Sequence, residues 1–202
     1  MNDTLEELVK GMKQGDEAAF NRLYELYVKK LYGMAFLISG NRADSEDIVQ
    51  ETFVKCFLNR ASIREEAAFE SWLYQILVRT AWRYIKKKKP VFSYEELTDA
   101  SDGECSGEWA RRDAEALEPL EEVLRREETR EILQAMAKLD LKQRTVLTLY
   151  YVNELPVREI ARVTGVLEGT VKSRLHKGRE NLRKSLKKGR EVCEGRHQYG
   201  TV

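Results

Sequence analysis

The chain has 202 residues, 42% of them hydrophobic and 34% charged, with a mean hydropathy of −0.56. That is enough apolar material for one ordinary domain or two small ones, and the charge density argues against a membrane-embedded protein. Its net charge of +1 hides an asymmetry, with about +2 over residues 1–90, about −9 over 93–131 and about +9 over 138–190.

Three prolines in the whole chain, against abundant Leu, Glu, Lys, Arg and Ala, favour an all-α fold. From about Thr4 to Lys89 several helices are expected. Phe20, Leu23, Tyr24, Tyr27, Leu31 and Met34 recur at three- and four-residue steps and form one apolar helical face. The apolar run around 31–38 is too short to span a bilayer, and the acidic N-terminus lacks an apolar signal core. The expectation is a cytoplasmic protein without membrane insertion. Gly40-Asn41 marks a turn. A second helix is expected from Asp44, with Ile48, Val49, Phe53 and Phe57 as its buried stripe. Asp44, Asp47 and Glu51 share another face, where a basic partner surface would relieve their repulsion. By composition alone, a solvated surface helix is the better explanation of them.

A third helix is expected over 70–89, its inner face made of Leu73, Ile76, Leu77, Thr80, Ala81 and Tyr84. Trp72, Arg79, Trp82, Arg83 and Lys86 lie off that face, and lysines run from 86 to 89. Rings interleaved with guanidinium groups suit single-stranded nucleic acid, where bases stack and cations hold the backbone. Core packing explains Trp72 better, whereas nucleic-acid contact is favoured for Arg79, Arg83 and the lysines.

Residues 90–117 are too polar to bury a core and read as an acidic flexible linker. Glu118-Pro119 then suits a helix start, followed by Leu120, Val123, Leu124, Ile132, Leu133, Met136 and Leu139. Short helices are expected over 141–151 and 156–163, and a longer one over 168–188. Between the last two, Ala161 is small where helices approach closely and Gly165 permits positive φ at the turn. Ile160, Val166, Val171 and Leu175 can lock the pair, which is the pattern of a helix-turn-helix. The exposed side of its second helix carries Thr170, Lys172, Ser173, Arg174, His176, Lys177 and Arg179. Residues near its start suit base edges and those further along suit phosphates.

Cys56, Cys105 and Cys193 are far apart and read as free thiols, and His176 and His197 offer no catalytic triad. No metal site, cofactor or catalytic group is expected, so the chain reads as a non-enzyme.

In order and separation, DSEDIVQETF (44–53), FESWLY (69–74) and GTVKSRLH (169–176) resemble the RNA polymerase sigma factors of the extracytoplasmic-function (ECF) group, in the sigma-70 family. The resemblance covers most of the chain, apart from the linker and the last dozen or so residues. It implies a helical domain over 1–90 that docks on the coiled coil of the core polymerase β′ subunit and recognises and melts the −10 promoter element. A linker over 91–117 joins it to a helix-turn-helix domain over 118–188 that reads the −35 element as duplex. The tail, 189–202, receives no role. The matching docking positions are Asp44, Asp47, Gln50 and Glu51. The −10 positions, on melted single strand, are Asn59, Arg60 and Arg64 in a loop and Trp72, Arg79, Arg83, Lys86 and Lys87 on the next helix. The −35 positions are Thr170, Lys172, Ser173, Arg174, His176, Lys177 and Arg179. The family's linker threads towards the active-centre and RNA-exit channels, where Glu95, Glu96, Asp99 and Asp102 could mimic nucleic acid. An anti-sigma factor is a further partner implied by the resemblance.

Two departures stand out. Arg79 and Arg83 occupy positions where the family commonly carries Asn and Asp. Pro156 and Leu167 stand where serines commonly cap the two helices of the motif, and a lost side-chain cap typically costs about 1 kcal/mol. Two rival readings remain at this point: a free-standing dimeric helix-turn-helix regulator, and an interaction decoy that binds polymerase or an anti-sigma factor without transcription.

Overall fold

A computed structural model describes residues 4–87 and 127–197, the side chains of 127–130 and 188–197 excepted. The expected linker, the expected helix start at Glu118-Pro119 with Leu120, Val123 and Leu124, Lys88, Lys89 and Cys105 lie outside the described residues. So does the side chain of Cys193. Eight α-helices and two short 3₁₀ turns make up the described structure, and no strand occurs among the described residues.

Helix α1 (Leu5–Gln14) starts on a reciprocal capping box, in which Thr4 accepts from the Glu7 amide and Glu7 accepts from the Thr4 amide. It buries Leu8, Val9 and Met12. Asp16 caps α2 (Glu17–Ser39), whose predicted face is buried at Leu23, Tyr27, Leu31 and Met34, while Phe20 and Tyr24 are half-buried. Gly40 closes α2 at φ 77°, as the predicted turn requires. Helix α3 (Arg42–Leu58) begins two residues before the expected Asp44, because the Asn41 side chain caps it by accepting from the Asp44 amide at 2.8 Å. The 3₁₀ turns 60–62 and 66–68 lead into α4 (Phe69–Lys87). Phe20, Tyr24, Phe53 and Phe57 form an aromatic cluster between α2 and α3, with Phe20 edge-on to Phe53 and Phe57 and Tyr24 tilted against Phe53.

Helices α5 (Glu127–Ala137), α6 (Leu141–Tyr151), α7 (Val157–Thr164) and α8 (Glu168–His197) form the C-terminal unit. Helix α8 runs well past the expected end at 188. Ile160, Val171 and Leu175 are fully buried between α7 and α8, and Val166 is half-buried, as the motif predicts.

The two helical units share one hydrophobic cluster that continues from Leu8 to Leu175. Helix α4 lies against α7, and α2 lies against α6. Arg144 of α6 is 1% exposed, and its desolvation pushes the guanidinium pKa down to about 10.

Candidate nucleic-acid and polymerase interfaces

Helix α3 brings Asp44, Asp47, Gln50 and Glu51 to one face, with Asp47 and Gln50 exposed and Asp44 and Glu51 partly so. The face is less bare than the spacing suggests. Glu51 Oε1 pairs with Lys55 Nζ at 3.0 Å and also with Arg83 of α4, and Asp47 accepts from the Tyr84 hydroxyl. Lys55 in turn donates to Thr80 Oγ1 at 2.8 Å, and burial lowers its pKa. Next to this face, burial and then the charge of Asp47 raise the Glu46 pKa, against the pull of Arg42.

The predicted −10 residues divide into two groups. Arg64, Arg79, Lys86 and Lys87 are exposed on the 59–67 loop and α4. Arg83 is exposed too, but it is held by Glu51. Arg60 is committed within the protein: Nη1 donates to the Phe57 carbonyl at 2.8 Å, and the guanidinium lies 4.3 Å from the Phe57 ring centre. Asn59 is exposed, yet its amide donates to the Lys55 carbonyl at 2.8 Å and ends α3. Trp72 is half-buried against the core, with its ring 6.1 Å from that of Phe69, so it packs as the residue pattern suggested. Trp82 is half-buried as well. Its indole N–H donates to Thr145 Oγ1 of the C-terminal unit at 2.9 Å.

On α8, Lys172, Ser173, His176, Lys177 and Arg179 are exposed, and Thr170 and Arg174 are partly covered. Gly165 ends α7 at φ 68°, its amide donating to the carbonyls of Ala161 and Arg162. The turn therefore needs the glycine that the sequence supplies. Arg179 stacks over the rings of Tyr150 and Tyr151, at 5.3 and 5.5 Å from their centres. That contact fixes its direction relative to the other cations. Among the described residues no group of three His, Cys, Asp or Glu side chains could hold a metal ion. No described helix is long and apolar enough to cross a membrane.

Residues 23–91 match the family model for Sigma-70 region 2, and residues 129–182 match that for Sigma-70, region 4. The ECF RNA polymerase sigma factor SigW of Bacillus subtilis is 33% identical over 187 residues, covering 93% of this chain and 99% of that protein. The chain belongs to the ECF sigma factors. As a sigma factor it directs RNA polymerase to promoters. The RNA polymerase sigma-H factor of Pseudomonas aeruginosa is also similar, at 31% identity over 90% of this chain and 93% of that protein. Two solved structures share the fold of this sigma factor. One is CnrH in complex with the cytosolic domain of CnrY, with a TM-score of 0.63 at 19% identity, covering 92% of this chain and 98% of that one. The other is the sigma factor RpoE in complex with the anti-sigma factor NepR from Bartonella quintana, with a TM-score of 0.61 at 21% identity, covering 83% and 96%.

The unusual cap residues of this sigma factor have structural explanations. Pro156 caps α7 without a side-chain hydrogen bond, its φ of −65° and extended ψ setting the entry angle. At the start of α8, the Leu167 carbonyl accepts from the amides of Thr170 and Val171 at 2.9 and 3.1 Å, and its side chain is 81% exposed. Sequence reasoning missed Gly178. It lies on the stripe of Val171, Leu175 and Leu182, and a methyl there would stand 3.0 Å from Leu147 Cδ1 of α6. A glycine on the apolar stripe of that helix, seven residues after Val171 and four before Leu182, was the available signal.

Proposed function

We propose that this sigma factor works by binding alone, without catalysis, and that the work is divided between its two units. The α3 face of Asp44, Asp47, Gln50 and Glu51 docks on the β′ coiled coil of core polymerase. Arg64, Arg79, Arg83, Lys86 and Lys87 hold the −10 element once it is single-stranded. Residues of α8 from Thr170 to Lys177 read the −35 duplex from the major groove. The observation that carries this reading is the α7–α8 pair. Its Gly165 turn, together with the contact of Gly178 on α6, fixes a helix whose outer side presents Lys172, Ser173, His176 and Lys177 to solvent.

The folded pairs refine the roles. Arg60 and Asn59 shape the loop: Arg60 Nη1 is engaged by the Phe57 carbonyl and the Asn59 amide by the Lys55 carbonyl. Arg83 bridges the docking face and the −10 helix, so polymerase contact at Glu51 would release it towards DNA. The structure of RpoE with the anti-sigma factor NepR supports an anti-sigma factor as a regulator of this chain, acting in the cytoplasm. Footprinting of the holoenzyme tests the division. Lys172→Ala with Lys177→Ala is expected to erase protection upstream while leaving core binding intact. Glu51→Lys with Asp47→Lys is expected to abolish core binding itself. Upstream protection that survives the first pair would contradict the assignment of α8.

A further inference from the structure

Helix α1 holds none of the residues assigned above to polymerase or DNA, yet it runs against both 3₁₀ turns of the loop between α3 and α4. Its seat is tight. A Cβ on Gly11 would stand 2.9 Å from Ala19 Cβ of α2, and buried Met12 lies against Cys56 of α3, with the two sulfurs 3.9 Å apart. From that seat Lys13 Nζ donates to Glu66 Oε1 at 2.8 Å, the side chains being 26% and 31% exposed. Glu66 is the first residue of the second 3₁₀ turn. At the first turn, Arg60 lies beside Gly15, which ends α1 at φ 90°, so that a Cβ on Gly15 would stand 3.9 Å from Arg60 Nη2. The carbonyl end of a helix attracts such a cation.

Arg64 sits between these two points. Ile63 beside it is 4% exposed and anchors the middle of the loop in the core, while Arg64 and Glu65 face solvent. Surface loops are the mobile part of most folds, and a binding residue on one needs a rigid support to hold its direction. We propose that α1 is a brace for the α3–α4 loop, with Lys13 and Glu66 as the positioning pair that sets where Arg64 meets the −10 strand. The brace itself rests on the contacts; its effect on DNA rests on the proposed function. The pair joins positions 53 residues apart, so it ties the loop to a separate helix and not to its own neighbours. The hydrogen bond from Lys13 holds the Glu66 carboxyl below its usual range, which keeps both partners charged at neutral pH.

The test is a double-mutant cycle in the full chain, with Lys13→Met, Glu66→Gln and the two combined, and Lys13→Arg as the control that keeps the charge. Neither residue belongs to the docking or DNA-holding sets. Hydrogen exchange at the amides of Ser62 and Ala68, which donate to the carbonyls of Asn59 and Glu65, reports the brace without polymerase. Permanganate reactivity of the −10 strand in the holoenzyme reports its use. A partly exposed ion pair is worth about a two- to five-fold change in a local equilibrium. Exchange at Ala68 is expected to quicken by that factor in each single variant, no further in the double variant, and not at all in Lys13→Arg. Reactivity is expected to fall in the same pattern, with core co-elution unchanged. Wild-type exchange in the single variants would overturn the brace, and so would additive effects in the double variant. Reactivity that falls in Arg64→Ala but stays intact across the cycle would overturn the positioning of Arg64. Exchange in the expected pattern, with equal reactivity in every variant including Arg64→Ala, would uphold the brace and remove the −10 reading instead.

Discussion

Gly178 sets how closely the recognition helix approaches the rest of its domain, and Gly178→Ala tests that contact. A methyl group at this position would stand 3.0 Å from Leu147 Cδ1, 3.3 Å from Leu147 Cγ and 3.5 Å from Gln143 Cβ. Carbon atoms prefer about 3.5–4.0 Å, so α8 must move outward by roughly half an ångström, or Leu147 must leave its rotamer. Leu147 is 2% exposed and has little room to move. Alanine gains about 1 kcal/mol over glycine in a helix interior, whereas overpacking costs about 1–3 kcal/mol. The net expectation is a loss of about 1 kcal/mol. Gly33, inside α2, supplies the control, because nothing lies within 4 Å of an added Cβ there. Gly33→Ala is expected to stabilise by about 1 kcal/mol. Urea unfolding of both variants gives opposite shifts in midpoint. If Gly178→Ala proves as stabilising as Gly33→Ala, the close α6–α8 contact is refuted, and with it the fixed placement of the −35 residues.

Three other outcomes are expected. Thr4→Ala removes the reciprocal cap of α1 and costs about 1 kcal/mol in urea; an unchanged midpoint would show that the box adds nothing. Arg83→Ala leaves stability within about 0.5 kcal/mol, because its pair with Glu51 is largely solvent-exposed, yet it slows promoter opening measured by permanganate reactivity of the −10 strand. Equal reactivity with and without the arginine would remove Arg83 from the DNA-holding set. Burial pushes the Cys56 thiol and the Tyr27 phenol up to about 12. Both groups are neutral at pH 7 in the folded and unfolded chain, so their contribution is fully present there. Above about pH 8.5 for the thiol and about 10 for the phenol, the unfolded chain ionises first. Stability is then lost as pH rises towards 12, with a slope of up to about 1.4 kcal/mol per pH unit for each group. Urea midpoints from pH 7 to 10.5 should fall less steeply in Cys56→Ala than in wild type; identical slopes would sink the assignment to Cys56.

Much of the fold was legible in the residues. Three- and four-step periodicity placed α2, α3 and α4, because each of these buries a recurring apolar face, and α6 was placed at 141–151 although it is buried all round over 144–149. Gly165 was identified through its chemistry, as positive φ at a tight turn leaves few alternatives. Boundaries moved where side-chain caps decide them, as Asn41 does for α3. What periodicity cannot reveal is which surface residue meets which across a tertiary contact. Arg83 and Trp82 both looked like candidates for nucleic acid, yet one pairs with Glu51 and the other reaches Thr145, 63 positions away. Arg60 and Arg179 were counted as cations for DNA, although aromatic rings hold both in the folded chain. A long basic side chain has the same sequence signature whether it faces phosphate or a neighbouring ring.

Run-off transcription with purified bacterial core polymerase, on a library of promoter fragments, tests the promoter-directing role most directly. Transcripts are expected only when the protein is added, from fragments that share two upstream elements. No new start site from any fragment, with core binding confirmed by co-elution, would contradict that role and leave a protein that occupies polymerase without directing it.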